Sequence, residues 1–358
     1  MGGGLLQLVA YGAQDVYLTG NLQITFFKVV YRRHTNFSME SIEQTFNGTA
    51  ALDRRVTCQI SRNGDLIHRM YLQATVTDGA ANANAGLKMI KSVELEIGGQ
   101  RIDKQYGDWM YIWNELSLPS GKTTGYSTMV DAINGTTTLY VPLEFWFCRN
   151  PGLALPLIAL QYHEVKVNLE FATAAVSELT SLDSASLWVD YIFLDTDERR
   201  RFAQLSHEYL IEQLQFTGEE TITSGASRVK LNFNHPVKEL VWVQQNGTAP
   251  AGTYVACDTA KLQLNGHDRF AERAGEYFTL VQPYQHHTNI PTVAGINVYS
   301  FALKPEEHQP SGTLNMSRID TATLALSTAA TVDSLRVYAT NYNVLRVMSG
   351  MGGLAYSN

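Results

Sequence analysis

Few residues in this 358-residue chain have the type and spacing to do chemistry. His163-Glu164 and His207-Glu208 each put an imidazole beside a carboxylate, and His286-His287 puts two imidazoles together. A zinc hydrolase site needs His-Glu-x-x-His and a third ligand, because only that spacing turns two imidazoles toward one ion. Neither His-Glu pair extends to that pattern. Glu164 falls in a run that reads as a strand, where a cross-strand or interface partner is expected. His286-His287 lies between Pro283 and Pro291 and reads as a solvated turn. The cysteines, Cys58, Cys148 and Cys257, are odd in number and far apart, giving neither metal spacing nor a disulfide framework. They read as reduced, partly buried thiols. No Gly-x-x-x-x-Gly-Lys-Ser/Thr occurs, Gly2–Gly4 precede no strand–helix unit, and no serine sits in a Gly-x-Ser-x-Gly elbow. The expectation is a chain with no catalytic residue, no metal site and no cofactor, not an enzyme.

The elements that could position such groups are almost all strands. Short runs rich in Val, Ile, Leu, Tyr and Phe alternate with polar residues and stop at Gly, Asn, Pro or Asp. Val56–Ile60, Met70–Val76, Ser92–Ile97, Leu139–Phe147, Glu164–Phe171 and Leu187–Leu194 are the runs of the first half. Val229–Phe233, Glu239–Val243, Lys261–Leu264, Ile296–Leu303, Ala322–Leu326 and Leu335–Tyr342 are those of the second. Asn63-Gly64, Gly98-Gly99 and Asn265-Gly266 supply hairpin turns. Helix is expected only around Lys104–Leu116 and Ala203–Tyr209.

The two halves echo one another. Ile42-Glu-Gln-Thr-Phe46 returns as Ile211-Glu-Gln-Leu-Gln-Phe216, and Arg55-Val56 as Arg228-Val229. Leu95-Glu-Ile-Gly-Gly99 returns as Leu262-Gln-Leu-Asn-Gly266, and Gly107-Asp-Trp-Met110 as Gly275-Glu-Tyr-Phe278. Leu139-Tyr-Val141 resembles Ile296-Asn-Val-Tyr299, and Leu187-Trp-Val189 resembles Leu335-Arg-Val337. Fixed order with drifting offset is what a duplicated domain gives when one copy loses loop residues. The expected architecture is all-β: two tandem eight-stranded antiparallel jelly rolls, preceded by an N-terminal arm. The expected divisions are 1–24 for the arm, 25–197 for the first jelly roll, 198–210 for a connector, and 211–358 for the second with its C-terminal tail. A connector so short and charged implies that the two copies pack side by side.

A net charge of −7 argues against a surface that coats nucleic acid, which needs a basic footprint. Met1–Ala10 has no basic n-region, and no apolar stretch approaches a membrane span. The sequons at Asn36, Asn47, Asn134, Asn246 and Asn315 therefore read as chance matches in a chain made in the cytosol.

Longer stretches carry a specific likeness. Leu8–Asn21, Gln23–Arg33, Ile60–Asp65, Val93–Asp103, Pro151–Val165, Trp188–Asp195 and Asn341–Tyr356 resemble the double jelly-roll major capsid proteins of nucleocytoplasmic large DNA viruses, most closely the phycodnavirus form. The resemblance implies a homotrimer, hence a pseudo-hexameric capsomer tiling an icosahedral shell around an internal membrane. It implies neighbouring capsomers and minor capsid proteins as partners, only indirect contact with the membrane, no direct nucleic acid, and assembly in the host cytoplasm. The chain is shorter than the family pattern between Gln245 and Ala260 and between Ala329 and Val332, where longer members carry outward loops. A minor capsid paralogue is one alternative. A tandem jelly-roll carbohydrate-binding protein is the other, with Trp109, Trp113, Trp146, Trp188 and Trp242 as its candidates; Trp146 and Trp188 sit in strand runs and read as core. The candidate assembly residues are Gln14, Asp15 and Tyr17 in the arm, Arg32 and Arg33 after it, and Arg199, Arg200 and Arg201 in the connector, whose guanidinium forks suit carboxylates of a neighbour. Gly350, Gly352 and Gly353 are expected to let the tail pack closely against another backbone.

Overall fold

The computed structural model describes residues 12–14, 16, 23–25, 27–30, 35–247 and 252–357. The first half runs β1 (Phe37–Gln44), β2 (Arg55–Gln59), β3 (Leu66–Asp78), β4 (Ile90–Ile97), β5 (Gln100–Gln105), β6 (Gly135–Pro142), β7 (Val165–Phe171) and β8 (Ser181–Leu194). The second runs β9 (His207–Thr221), β10 (Gly225–Leu231), β11 (Pro236–Gln245), β12 (Thr259–Leu264), β13 (His267–Asp268), β14 (Asn297–Ser300), β15 (Ala322–Thr328) and β16 (Ser334–Met348). Among the described residues these strands pair antiparallel throughout. The sheet orders are β1-β8-β3-β6 facing β2-β7-β4-β5, then β9-β16-β11-β14 facing β10-β15-β12-β13. The second pair repeats the first strand for strand, and both are the jelly-roll order. A small strand lengthens the same edge in each copy: Leu155–Pro156 on β3 and Leu314–Asn315 on β11.

Each echo read from the sequence falls on equivalent elements, β1 with β9, β2 with β10, β4 with β12, β6 with β14 and β8 with β16. The tight turns Gly98-Gly99 and Asn265-Gly266 both take positive φ at their two central residues, the geometry a two-residue hairpin of native twist requires. The paired glycines Gly107 and Gly275 have a different cause. A Cβ on Gly107 would collide with the carbonyl oxygens of Leu87 and Ile90, and one on Gly275 with that of Cys257. Each copy thus lays the backbone after its β5-type strand directly on the chain entering its β4-type strand.

Several local expectations change. The run Leu139–Phe147 ends as a strand at Pro142; Pro142 closes the ladder, and Trp146–Arg149 forms one helical turn. Trp146 is nevertheless core. The strand expected from Glu164 begins at Val165, leaving Glu164 exposed beside Lys166 at 3.3 Å. The helix expected at Lys104–Leu116 is α1, Gly107–Ser117. The one expected at Ala203–Tyr209 lies earlier, as α2, Thr196–Gln204, started by Asp195 accepting from the Thr196 N–H. From His207 the chain is strand, because Leu210, Ile211 and Leu214 pair with β16.

A core fills each sandwich, but the first does not stop at the halfway point. Ile211, Leu214, Val241, Val243, Ile296, Val298, Tyr338, Leu345 and Val347 of the second half belong to it. The opposite faces of the same strands, with Leu240, Trp242, Leu335 and Val337, fill the second core. The two copies therefore pack side by side on a shared apolar seam. A small cluster of Leu66, Ala154, Ile192 and Leu194 lies under Phe202 of α2.

Candidate assembly interface

The seam is built around α1. Trp109, Met110, Tyr111, Ile112, Trp113 and Leu116 are all buried, so the helix is apolar nearly all round and must be covered on more than one side. Its own sandwich covers one face; the outer face of the β9-β16-β11-β14 sheet covers the other. Trp109 meets Tyr338 at 5.4 Å between ring centroids, and Tyr106, just before the helix, meets Phe216 edge-on at 4.9 Å. Asp108 accepts from the hydroxyls of Tyr338, at 2.9 Å, and Tyr254, and lies 3.5 Å from Arg336. Burial, with the Asp108 charge beside them, pushes both tyrosines well above the ordinary phenol pKa. In the last turn of the helix, the Leu116 carbonyl accepts from the Asn289 N–H at 2.9 Å.

Below α1 lies a buried ionic network. A bulge in β11 at Val237/Glu239 breaks the alternation there, and both Lys238 and Glu239 are buried and ion-paired. Glu212 on β9 takes Arg149 of the first copy at 2.8 Å, Lys238 at 2.9 Å and His308 at 3.2 Å. Burial alone would raise the Glu212 carboxyl; Arg149, His308 and Lys238 outweigh it and bring it down to about 2. At Lys238, only 1% exposed, burial prevails over Glu212 and pulls the ammonium below the ordinary lysine value. The two shifts differ because Glu212 has several cationic neighbours and Lys238 has one bonded carboxylate.

His287 corrects the expectation of a solvated turn. Its side chain is fully buried, with Nε2 2.9 Å from Glu239 and Nδ1 2.9 Å from Glu306. The loop folds inward because Glu306 also accepts from the Thr288 N–H and hydroxyl. The signal in the sequence was the charged pair Lys238-Glu239 inside the otherwise apolar run Val237–Val243.

The other candidates scatter. Gln14 is exposed in a short helical segment; Asp15, Tyr17, Arg32 and Arg33 lie outside the described residues. Arg199 reaches back to Asp65 of its own chain at 3.0 Å, and Arg201 to Glu198 at 3.4 Å, while Arg200 is exposed on α2. The glycine-rich tail packs within the chain: the Gly350 carbonyl accepts from the Tyr162 N–H, and Gly350 lies close on the Tyr162 ring. The five tryptophans make no open platform, since Trp109, Trp113, Trp146 and Trp242 are buried and Trp188 stacks on Tyr71 at 6.2 Å. The cysteines are buried, and burial pushes the thiols of Cys58 and Cys257 up to about 11. Among the described residues no cluster of His, Cys, Asp and Glu could hold a metal, and no helix is long and apolar enough to cross a membrane.

The contrast between the copies matters most. Every residue of β11 after Pro236 is buried, on both faces, whereas its equivalent β3 has a buried face and a half-exposed one. The outer face of the first copy's sheet exposes Met39 and Tyr140, with Tyr71 and Trp188 half-buried and Tyr71 between the two other rings. The second copy's counterpart of α1, the π turn Tyr277–Val281 followed by α3 (Gln282–His286), presents Leu280, Val281 and Tyr284 to solvent, Tyr284 77% exposed.

Comparison with known proteins agrees. Residues 25–195 match the family described as major capsid protein N-terminus, and residues 198–353 match that described as large eukaryotic DNA virus major capsid protein. The chain is 64% identical to the major capsid protein of Pyramimonas orientalis virus, with all of both chains covered. The chain belongs to the large eukaryotic DNA virus major capsid protein family. This capsid protein is also 48% identical to the major capsid protein of Paramecium bursaria Chlorella virus 1 over the whole of both. It superposes on a chain of that virus's quasi-atomic capsid structure with a TM-score of 0.85 at 43% identity, covering 93% of this chain and 100% of that one. The Faustovirus major capsid protein shares the fold alone, at TM-score 0.76 and 13% identity. The capsid protein is thus a structural component of the virion, and that reading stands above a carbohydrate-binding one.

Proposed function

We propose that the chain closes with two further copies into a trimer whose six similar sandwiches form the block that tiles the shell. The observation that carries it is the one-sided burial of β3 against the two-sided burial of β11. Within one chain, the first copy's helix α1 covers the second copy's sheet. Among the described residues the equivalent pair, the face of Leu280, Val281 and Tyr284 and the sheet face of Met39, Tyr71, Tyr140 and Trp188, is not covered in that way: the first face is exposed and the second is exposed or half-buried. Joining them between chains repeats the in-chain contact head to tail, and a heterologous contact whose rotation closes makes a ring. The division into units 25–197 and 211–358 joined by 198–210 belongs to this reading, as do the arm at 1–24, neighbouring capsomers, minor capsid proteins between them and the membrane, and assembly in the host cytoplasm. With a net charge of −7, the protein has no direct role on nucleic acid.

Light scattering on purified protein across micromolar concentrations is the test. The expected mass is three chains, falling to one for Leu280→Asp/Tyr284→Asp with an unchanged melting temperature. A monomeric wild type, or a trimeric double variant, overturns the proposal.

A further inference from the structure

The contact face of the second copy is held in shape by charge. His286 ends α3 and His287 follows it in extended conformation, and beyond β14 the segment 301–313 returns against them. The His286 ring meets the Leu303 carbonyl through Nδ1 at 2.9 Å, and the Leu303 side chain is 72% exposed. His287 fixes the same segment to the sheet, bonding Glu306 through one ring nitrogen and Glu239 of β11 through the other. Carboxylates only accept, so both bonds form together only when the ring carries two protons and a positive charge.

The surrounding charges fit that state. Arg149, Lys238 and His287 as cations face Glu212, Glu239 and Glu306 as anions, His308 bonds Glu212, and the Thr340 hydroxyl donates to Glu239 at 3.4 Å. Removing the proton from His287 leaves two carboxylates facing a neutral ring that can donate to only one. A buried, half-satisfied ionic group costs far more than a solvated one.

We propose that His287, Glu239 and Glu306 form a latch that keeps α3 and the 301–313 segment in trimer-competent shape and that opens in alkali. The inference rests on the trimer reading for its consequence, not for its geometry. Burial would lower the ring's pKa, but Glu239 and Glu306 outweigh it and raise it from 6.5 to about 9. The latch's contribution is therefore complete below about 6.5 and disappears as pH rises through about 9. Lys238 also loses its charge more easily than an ordinary lysine, yet it bonds Glu212 and the Glu307 carbonyl, not Glu306. Substituting Glu306 therefore addresses His287 and leaves the bonds of Lys238 in place.

The experiment follows the full chain from pH 7 to 10.5 by sedimentation velocity and, in the same samples, by hydrogen exchange of residues 301–313. In wild type, protection of this segment should fall about tenfold per pH unit above the midpoint, beyond ordinary base catalysis, with trimer dissociating in the same range. Glu306→Gln should move both midpoints down by about one pH unit, the effect of losing one close opposite charge. A chain already monomeric at pH 7 refutes the trimer, and exchange still decides the latch. Flat protection through pH 10, or the same midpoint in Glu306→Gln, refutes the latch.

Discussion

Replacing Glu212 with Gln tests whether the ionic network binds the two copies together. The neutral amide keeps the shape but removes the charge that Arg149, Lys238 and His308 share. Glu212 lies about 2.5 units below its ordinary 4.5, at about 2. At about 1.4 kcal/mol per unit, that difference corresponds to about 3 kcal/mol of stability at neutral pH. The figure agrees with the 3–5 kcal/mol typical of leaving a buried charge without its partner. Because the folded pKa is depressed, the contribution is present above about 4.5 and vanishes as pH falls through about 2. Denaturant unfolding of wild type and Glu212→Gln at pH 7 and at pH 3 measures it. The variant should lose about 3 kcal/mol at pH 7 and distinctly less at pH 3. Glu212→Gln with Lys238→Met should recover part of the loss, since no ammonium then remains buried without its carboxylate. A loss under about 0.5 kcal/mol at pH 7, or one that does not change with pH, would refute the reasoning.

Asp103, which accepts from the Leu214 N–H at 3.1 Å, is pushed by burial from 3.8 up to about 6, against hydrogen bonds and Arg149 that lower it. A raised carboxylate costs stability when ionised, so Asp103→Asn should gain about 1–3 kcal/mol at pH 7 and lose the advantage by pH 4; unfolding curves at the two pH values show it. Gly107→Ala and Gly275→Ala should each cost about 2 kcal/mol or more, because the methyl meets backbone carbonyls that cannot rotate away; a denaturant midpoint within error of wild type would contradict the close approach.

The strand order was legible because its signals are local. Alternation in β3 and β15, and the turns Gly98-Gly99 and Asn265-Gly266, need no knowledge of the rest of the chain. The echo of Gly107 in Gly275 was legible because both copies face the same backbone crowding. The boundary around α2 and β9 was displaced because charge in Thr196–Gln204 hides a helix, while the pairing of His207 onward depends on β16 more than a hundred residues later. His287 was misread for the same reason. Two prolines nearby describe its turn, but its burial is decided by Glu239, 48 residues away in sequence. Side-by-side packing follows from the short connector, but the strand that forms the seam does not, because a strand buried on both faces shows only as a run with less alternation, and Lys238-Glu239 interrupts even that.

The double burial of β11 also has a consequence for the order in which a nascent chain can fold. Synthesis delivers the first sandwich complete, with α1, before β11 or β16 has left the ribosome, and domains tend to fold in that order. The second sheet then condenses on a surface already made, while in the proposed trimer the equivalent face on β3 waits for another polypeptide. If the trimer closes as proposed, a newly made chain is finished on one side by its own sequence and on the other only by concentration, so its lifetime as a lone molecule is set by how quickly a neighbour arrives.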